Sequence, residues 1–311
     1  MAAGPNFLIA GASKAGSTWL RICLEDHPEV FMPSGPTLDF FSRNYDKGLE
    51  WYEAHFKNPG GRTVIGEKST SYIIYDDVPE RIQAWNADVR LIFILREPIA
   101  RAYSHYCMNY RGGAISGDVD NELHADSKLI REGFYHQNVG RFLALFPRDQ
   151  VQVLLYDDLR ADAEEFFARV CTILGVDPTF KPKRLRGKAN VKKGQLRLHG
   201  LFKPMIGCLL WAGRHNRTAY RISQRIFESK FLSTNRLLNR KPDYPQWSCE
   251  AKRRIAELYR PDVAKLSEML GRDLSHWLAP HLEPPAERQP AVEAGSGPSA
   301  VNKPSQPWSG L

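Results

Sequence analysis

The chain has 311 residues, 42% hydrophobic and 25% charged, with seven Trp; this suits one large α/β domain or two small ones and excludes a disordered or collagen-like chain. Its five Cys are odd in number, widely spaced and free of any CxxC pair, which argues against a disulfide framework or structural zinc and for a reducing, cytoplasmic location. The net charge of +8 is uneven: residues 181–240 hold 16 Lys+Arg against the single acid Glu228, so an anionic partner is expected at that block.

Residues 1–5 carry no Lys or Arg and do not read as a signal peptide, and no apolar run reaches the roughly 18 residues of a membrane span. The apolar run Phe7–Gly11 predicts a buried strand, with helical period following over 18–26. Residues 63–66 predict a second strand and 79–85 a helix. A third strand is expected over 89–95 with a helix over 99–108, and a fourth over 151–156 with a helix over 164–174. Strands alternating with helices predict an α/β fold, a parallel sheet flanked by helices, in a single domain over 1–283. Ligands of such sheets sit beyond the C-terminal strand ends. From about Pro284 the chain turns to Pro, Ser, Gly and Ala, so 284–311 reads as a disordered tail.

The first strand runs into Gly11-Ala-Ser-Lys-Ala-Gly-Ser-Thr18 and then a helix. A Gly-rich turn at a helix N-terminus offers free backbone N–H groups and a positive dipole end, both suited to phosphate. Gly11, Gly16 and Thr18 fit the GxxxxGK[ST] frame, but position 17 is Ser and the lysine stands at Lys14. An anion-binding loop is favoured over an ordinary turn. Arg96, at the end of the third strand, and Ser104, about two helical turns on, could hold a second phosphate; equally, they read as an ion-pair residue and a helix-surface residue. Glu67 stands at the C-terminal edge of the second strand, as a general base or as a cap or lysine partner. Asp157 and Asp158 could mimic a magnesium-binding strand end, although a capping role is preferred. The histidines show neither HExxH nor paired spacing, so no metal site is expected.

Together these motifs resemble the sulfotransferase family that uses 3′-phosphoadenosine 5′-phosphosulfate (PAPS), from Asn6 to about Trp277. The resemblance implies a P-loop-like sheet and no metal. It implies that Lys14, Ala15, Gly16, Ser17 and Thr18 form the 5′-phosphosulfate loop and that Arg96 and Ser104 hold the 3′-phosphate. Lys192, Lys193 and Gly194 match the family's late Lys-Gly loop over the nucleotide. Phe40, Phe41 and the stretch to Tyr52, with Glu67-Lys-Ser69, are similar to the bacterial and glycosaminoglycan branch, where the Glu is taken as the base. Lys14 would stabilise the leaving oxygen; His105 or His136 would be the next candidates for the base. Glycan-modifying relatives usually carry Lys-Glu-x-His before the Phe pair, whereas this chain has Pro36, Thr37, Leu38 and Asp39.

Residues 199–240 hold eight basic residues against one acid, and Arg214, Arg217, Arg221 and Arg225 share one helical face. This segment reads as a helical lid beside an acceptor cleft, a helix lying on an anionic membrane, or a solvated basic face. The expected reaction moves a sulfuryl group from PAPS to a hydroxyl or amine of an amphipathic or anionic acceptor: lipid-linked, natural-product or glycan. The alternatives are a P-loop kinase or NTPase using ATP-Mg, and a basic nucleic-acid-binding protein, though no nucleic acid is expected as a partner.

Overall fold

The computed structural model describes residues 4–115, 117–185 and 244–282. Five parallel strands form one sheet: β1 Phe7–Gly11, β2 Val30–Phe31, β3 Val64–Lys68, β4 Arg90–Leu95 and β5 Val151–Leu155, in the order β2-β3-β1-β4-β5. β1 is central, pairing Phe7 with Gly66 on β3 and with Arg90 on β4. The chain leaves β1 for the β2–β3 side and then crosses to β4, so the strand order reverses about β1. The segment after β1 therefore opens into the crevice where such sheets bind ligands.

The sequence makes this a buried parallel sheet because its strands are apolar at consecutive positions, not alternate ones. Phe7 to Ala10 and Leu91 to Leu95 are all fully buried, which requires cover on both faces. Among the described residues the covering helices include α1 Ser17–Asp26, α4 Val78–Trp85, α5 Pro98–Gly112, α8 Tyr135–Leu143 and α10 Ala163–Leu174, with short α2 Phe40–Arg43, α3 Leu49–Glu53, α6 Val119–Glu122, α7 Lys128–Arg131 and α9 Tyr156–Ala161. Helix α1 buries Trp19, Leu20, Cys23 and Leu24, and α10 buries Phe166, Phe167, Val170 and Cys171. Both show the i, i+1, i+4, i+5 stripe of a helix seated on a core. Trp19 joins them edge-on to Phe166 at 6.1 Å, and Phe142 of α8 meets Phe93 of β4 at 4.9 Å. Each such side chain, fully buried, contributes about 1.5–3 kcal/mol.

The α/β expectation and its four main strands are present, with shifted ends. The second expected strand starts one residue later and runs two further, so Glu67 and Lys68 belong to β3 itself. Helix α9 takes Tyr156 from the expected fourth strand. Two elements were not anticipated: β2, with only two residues to show a pattern, and α11 Cys249–Leu270, a 22-residue helix. The buried positions of α11 (Ala251, Ile255, Ala256, Tyr259, Asp262, Val263, Leu266) keep helical period, but Pro261 and an acid interrupt the apolar signal. After it come α12 Ala279–Leu282 and, among the described residues, no helix long and apolar enough to cross a membrane. Lys192, Lys193, Gly194, the basic segment 199–240 and the tail from 284 lie outside the described residues.

Candidate active site

The loop between β1 and α1 is held in one shape from three sides. Lys14 adopts φ 69°, left-handed for a bulky residue, and its carbonyl accepts a hydrogen bond from Arg96 Nη1 at 3.1 Å. The Ser13 N–H donates to Glu132 Oε1 at 2.6 Å, and Ser13 Oγ donates to Thr70 Oγ1 at 3.1 Å beyond the end of β3. Gly16 stands at φ 98°, and a Cβ there would come within 2.7 Å of Leu159 Cδ2. Glycine at this position thus answers both a backbone and a packing demand. Gly16 caps α1 without a side-chain hydrogen bond, leaving the first-turn N–H groups of Ser17 and Thr18 to an outside acceptor. The Ser13 N–H, by contrast, is taken by Glu132.

Cations gather at this loop. Burial pushes the Lys14 ammonium below its ordinary range, and Arg111 and Arg96 push it further. Its hydrogen-bond acceptor is the Met108 sulfur of α5, at 3.6 Å. Arg96 lies over the Tyr156 ring at 5.0 Å. Among the described residues, no carboxylate forms an ion pair with Lys14, Arg96 or Arg111. Convergent cations without a paired acid are the electrostatic condition for binding a multiply charged anion. Ser104 is half-buried on α5, between Arg96 and Met108 in sequence.

Glu67 sits on the β3 side of the loop, only 1% exposed. Tyr52 Oη donates to its Oε2 at 2.9 Å, Tyr72 Oη to the same oxygen at 3.0 Å, and Ser69 Oγ to Oε1. A carboxylate offers about four lone-pair sites, so three hydroxyls leave room for one further donor. Burial raises the Glu67 pKa to about 7, against the lowering effect of those three hydroxyls. Glu67 lines a cavity of about 270 Å³ with Thr18, Arg21, Met32, Lys68 and residues 35–38. Burial also lowers the Lys68 pKa, helped by Arg21. A larger cavity, about 550 Å³, follows the outer edge of β5 and includes none of the loop residues, Glu67, Arg96 or Ser104.

The structure thus brings Lys14, Ala15, Gly16, Ser17 and Thr18 together with Arg96 on one side and Glu67 on the other. The rival groups have contacts of their own. Asp157 accepts from Trp277 Nε1 at 2.6 Å and Asp158 pairs with Arg272 at 2.7 Å, so both acids hold the C-terminal part of the chain; neither makes the cap expected from sequence, because α9 starts at Tyr156 and takes both into its first turn, while Asp162 caps α10. His136 gives its backbone N–H to Asp262 at 3.0 Å, and His105 Nδ1 lies 3.3 Å from Glu132. Sequence reasoning missed Arg21, Lys68, Arg111 and Glu132 as parts of the site. Arg21 follows Thr18 by three residues and Arg111 follows Ser104 by seven, both same-face helical spacings. Glu132 has no local signal at all.

Comparison with known proteins fits this geometry. The sulfotransferase domain family model matches residues 4–192. Heparan sulfate glucosamine 3-O-sulfotransferase 5 of Homo sapiens is 32% identical over 169 residues, 50% of this chain and 49% of that protein. Heparan sulfate glucosamine 3-O-sulfotransferase 3B1 of Homo sapiens is 26% identical over 285 residues, 86% of this chain and 64% of that protein. The chain thus spans about half to two-thirds of the length of these curated relatives. A crystal structure of a sulfotransferase from Alicyclobacillus acidocaldarius superposes with a TM-score of 0.64 at 21% identity, covering 88% of this chain and 99% of that one, and so shares the fold. With the family model covering more than half of its length, the chain belongs to the sulfotransferase family.

Proposed function

We propose that this chain transfers a sulfuryl group from PAPS to a hydroxyl or amine of an anionic or amphipathic acceptor. One observation carries the reading: Thr18, in the first turn of the helix that the loop opens, lines one cavity with the buried carboxylate Glu67, while Lys14 and Arg96 stand at that loop without a paired acid among the described residues. The donor supplies an already activated sulfuryl group. The protein has to position, neutralise charge and accept one proton.

Lys14, Ala15, Gly16, Ser17 and Thr18 hold the 5′ end of the donor through backbone N–H groups and the Lys14 ammonium. Arg96 and Ser104 hold the 3′-phosphate. Lys192, Lys193 and Gly194 close over the nucleotide. Glu67 takes the acceptor proton on its remaining lone-pair site, and Lys14 stabilises the oxygen that leaves as phosphate. An acceptor in the 270 Å³ cavity meets Arg21 and Lys68, which suits an anionic group. The curated relatives are named for heparan sulfate glucosamine, so a glycan hydroxyl or amine stands first among acceptor classes, with lipid-linked and natural-product hydroxyls next. Pro36, Thr37 and Leu38, three of the four positions where glycan-modifying relatives carry Lys-Glu-x-His, line that cavity and change the acceptor contacts on that wall. The basic segment 199–240 is the proposed lid or anionic membrane contact.

The test is transfer of label from ³⁵S-labelled PAPS to desulfated glycosaminoglycan, lipid-linked sugars and phenolic natural products. Labelled product from an acceptor, lost in Lys14→Ala, is the expected result. Hydrolysis of ATP-Mg without any sulfated product would overturn it.

A further inference from the structure

Glu132 lies just after α7, is 4% exposed, and is 119 residues from the loop it touches. Its Oε1 accepts the Ser13 N–H at 2.6 Å. Its Oε2 accepts from Arg101 Nη1 at 2.9 Å and stands 3.3 Å from His105 Nδ1. Arg101 and His105 both belong to α5, three residues before and one after Ser104. Arg101 is fully buried and also donates to the Leu129 carbonyl, which fixes it to α7. One planar carboxylate thus bonds the phosphate loop with one oxygen and the Ser104 helix with the other.

Stability alone does not account for this arrangement, since a buried ion pair can often be replaced by apolar groups at no cost. Its geometry has a mechanical consequence. The carboxylate is rigid, so a shift of α5 relative to the loop stretches one of two charge-assisted bonds, which are shorter and stronger than neutral ones. Arg96, at the N-terminal side of α5, makes a second tie to the loop through the Lys14 carbonyl.

We propose that Glu132 is a positioning residue that couples the two phosphate-binding segments, so that a phosphate held near Ser104 pre-orders the loop for the phosphate at the other end of the ribose. The inference rests on the donor reading above. Coupling of this kind is reciprocal: each phosphate raises the affinity for the other by one common factor.

The test compares the gain in affinity from a 3′-phosphate with and without a 5′-phosphate, by calorimetric titration of adenosine 3′,5′-bisphosphate, AMP, adenosine 3′-monophosphate and adenosine. In the wild-type protein the gain on AMP should exceed the gain on adenosine by about fivefold or more. In Glu132→Gln the two gains should agree within about twofold. Should that variant fail to fold, His105→Gln, which leaves the Arg101–Glu132 pair in place, should lower the wild-type ratio by at least about twofold. Equal gains in the wild type, an unchanged ratio in a folded variant, or four affinities falling by one factor would overturn the coupling. A wild type that binds adenosine 3′,5′-bisphosphate no better than AMP would overturn the donor reading instead.

Discussion

Glu67 and Glu132 are both buried carboxylates, one lining the cavity beside Thr18 and the other bonded to the Ser13 N–H of the loop, and their neighbours push them in opposite directions. Burial raises both. At Glu67 the answering groups are three neutral hydroxyls, which only partly offset burial, and the pKa settles at about 7. At Glu132 the Arg101 guanidinium overrides burial, assisted by His105 and the Ser13 N–H, and the carboxyl falls below its usual range. Neutral donors leave an acid poised to take a proton near neutral pH; a guanidinium makes it a permanent anion that can only hold things in place. The fold thus separates a group suited to proton transfer from a group suited to structure with the same side chain.

That contrast sets the order of expected effects. Glu67→Gln keeps the shape and removes the proton acceptor, so turnover should fall by about 10²–10⁴. Affinity for adenosine 3′,5′-bisphosphate should hardly change, and steady-state kinetics beside calorimetry separate the two. Unaltered turnover would make Glu67 a cap and shift attention to His105 and His136. At the other carboxylate, Arg101→Met leaves Glu132 buried without its cation and should cost about 3–5 kcal/mol in urea unfolding. A loss under about 1 kcal/mol would mean that water or Tyr259 replaces the guanidinium.

The pH dependence of stability gives a third contrast. A carboxyl with a folded pKa near 7 binds its proton more tightly in the native than in the unfolded chain. Its contribution to stability is therefore fully present below the unfolded value and is lost as pH rises toward 7. Relative to Glu67→Gln, the wild type should lose up to about 3 kcal/mol between about pH 4.5 and about pH 7.5. Parallel curves for the two proteins would mean that Glu67 is ionised at acid pH. The smallest effect is expected at the donor. Arg96→Ala should weaken adenosine 3′,5′-bisphosphate by about 1.5–3 kcal/mol, while AMP affinity falls less; equal losses would remove the 3′-phosphate from its role.

Much of this was legible in the sequence because the information was local. The apolar run Phe7–Gly11 announced a buried parallel strand, and the glycines with Lys14 announced the tight turn that leads from it into α1. Arg96 and Glu67 were readable as strand-end residues. The cage around Glu67 was not, because Tyr52 comes 15 residues earlier and Tyr72 five later, and nothing in either neighbourhood marks them as partners of a carboxylate. Glu132 was invisible for the same reason at longer range: its meaning lies in Ser13 and Arg101, which only the β1–β4 pairing and the path of α5 bring to it. Lys68 stood beside Glu67 in the motif but became part of the cavity wall only because β3 runs two residues past its expected end.

The crevice is expected to hold a nucleotide with phosphates at both ends of its ribose. Thermal unfolding with adenosine 3′,5′-bisphosphate, AMP and ATP-Mg tests it most directly. At about 100 times its dissociation constant, the bisphosphate should add about 2.7 kcal/mol of stability, with a much smaller gain from AMP at the same concentration and none from ATP-Mg. Equal stabilisation by AMP, or stabilisation by ATP-Mg alone, would contradict the account.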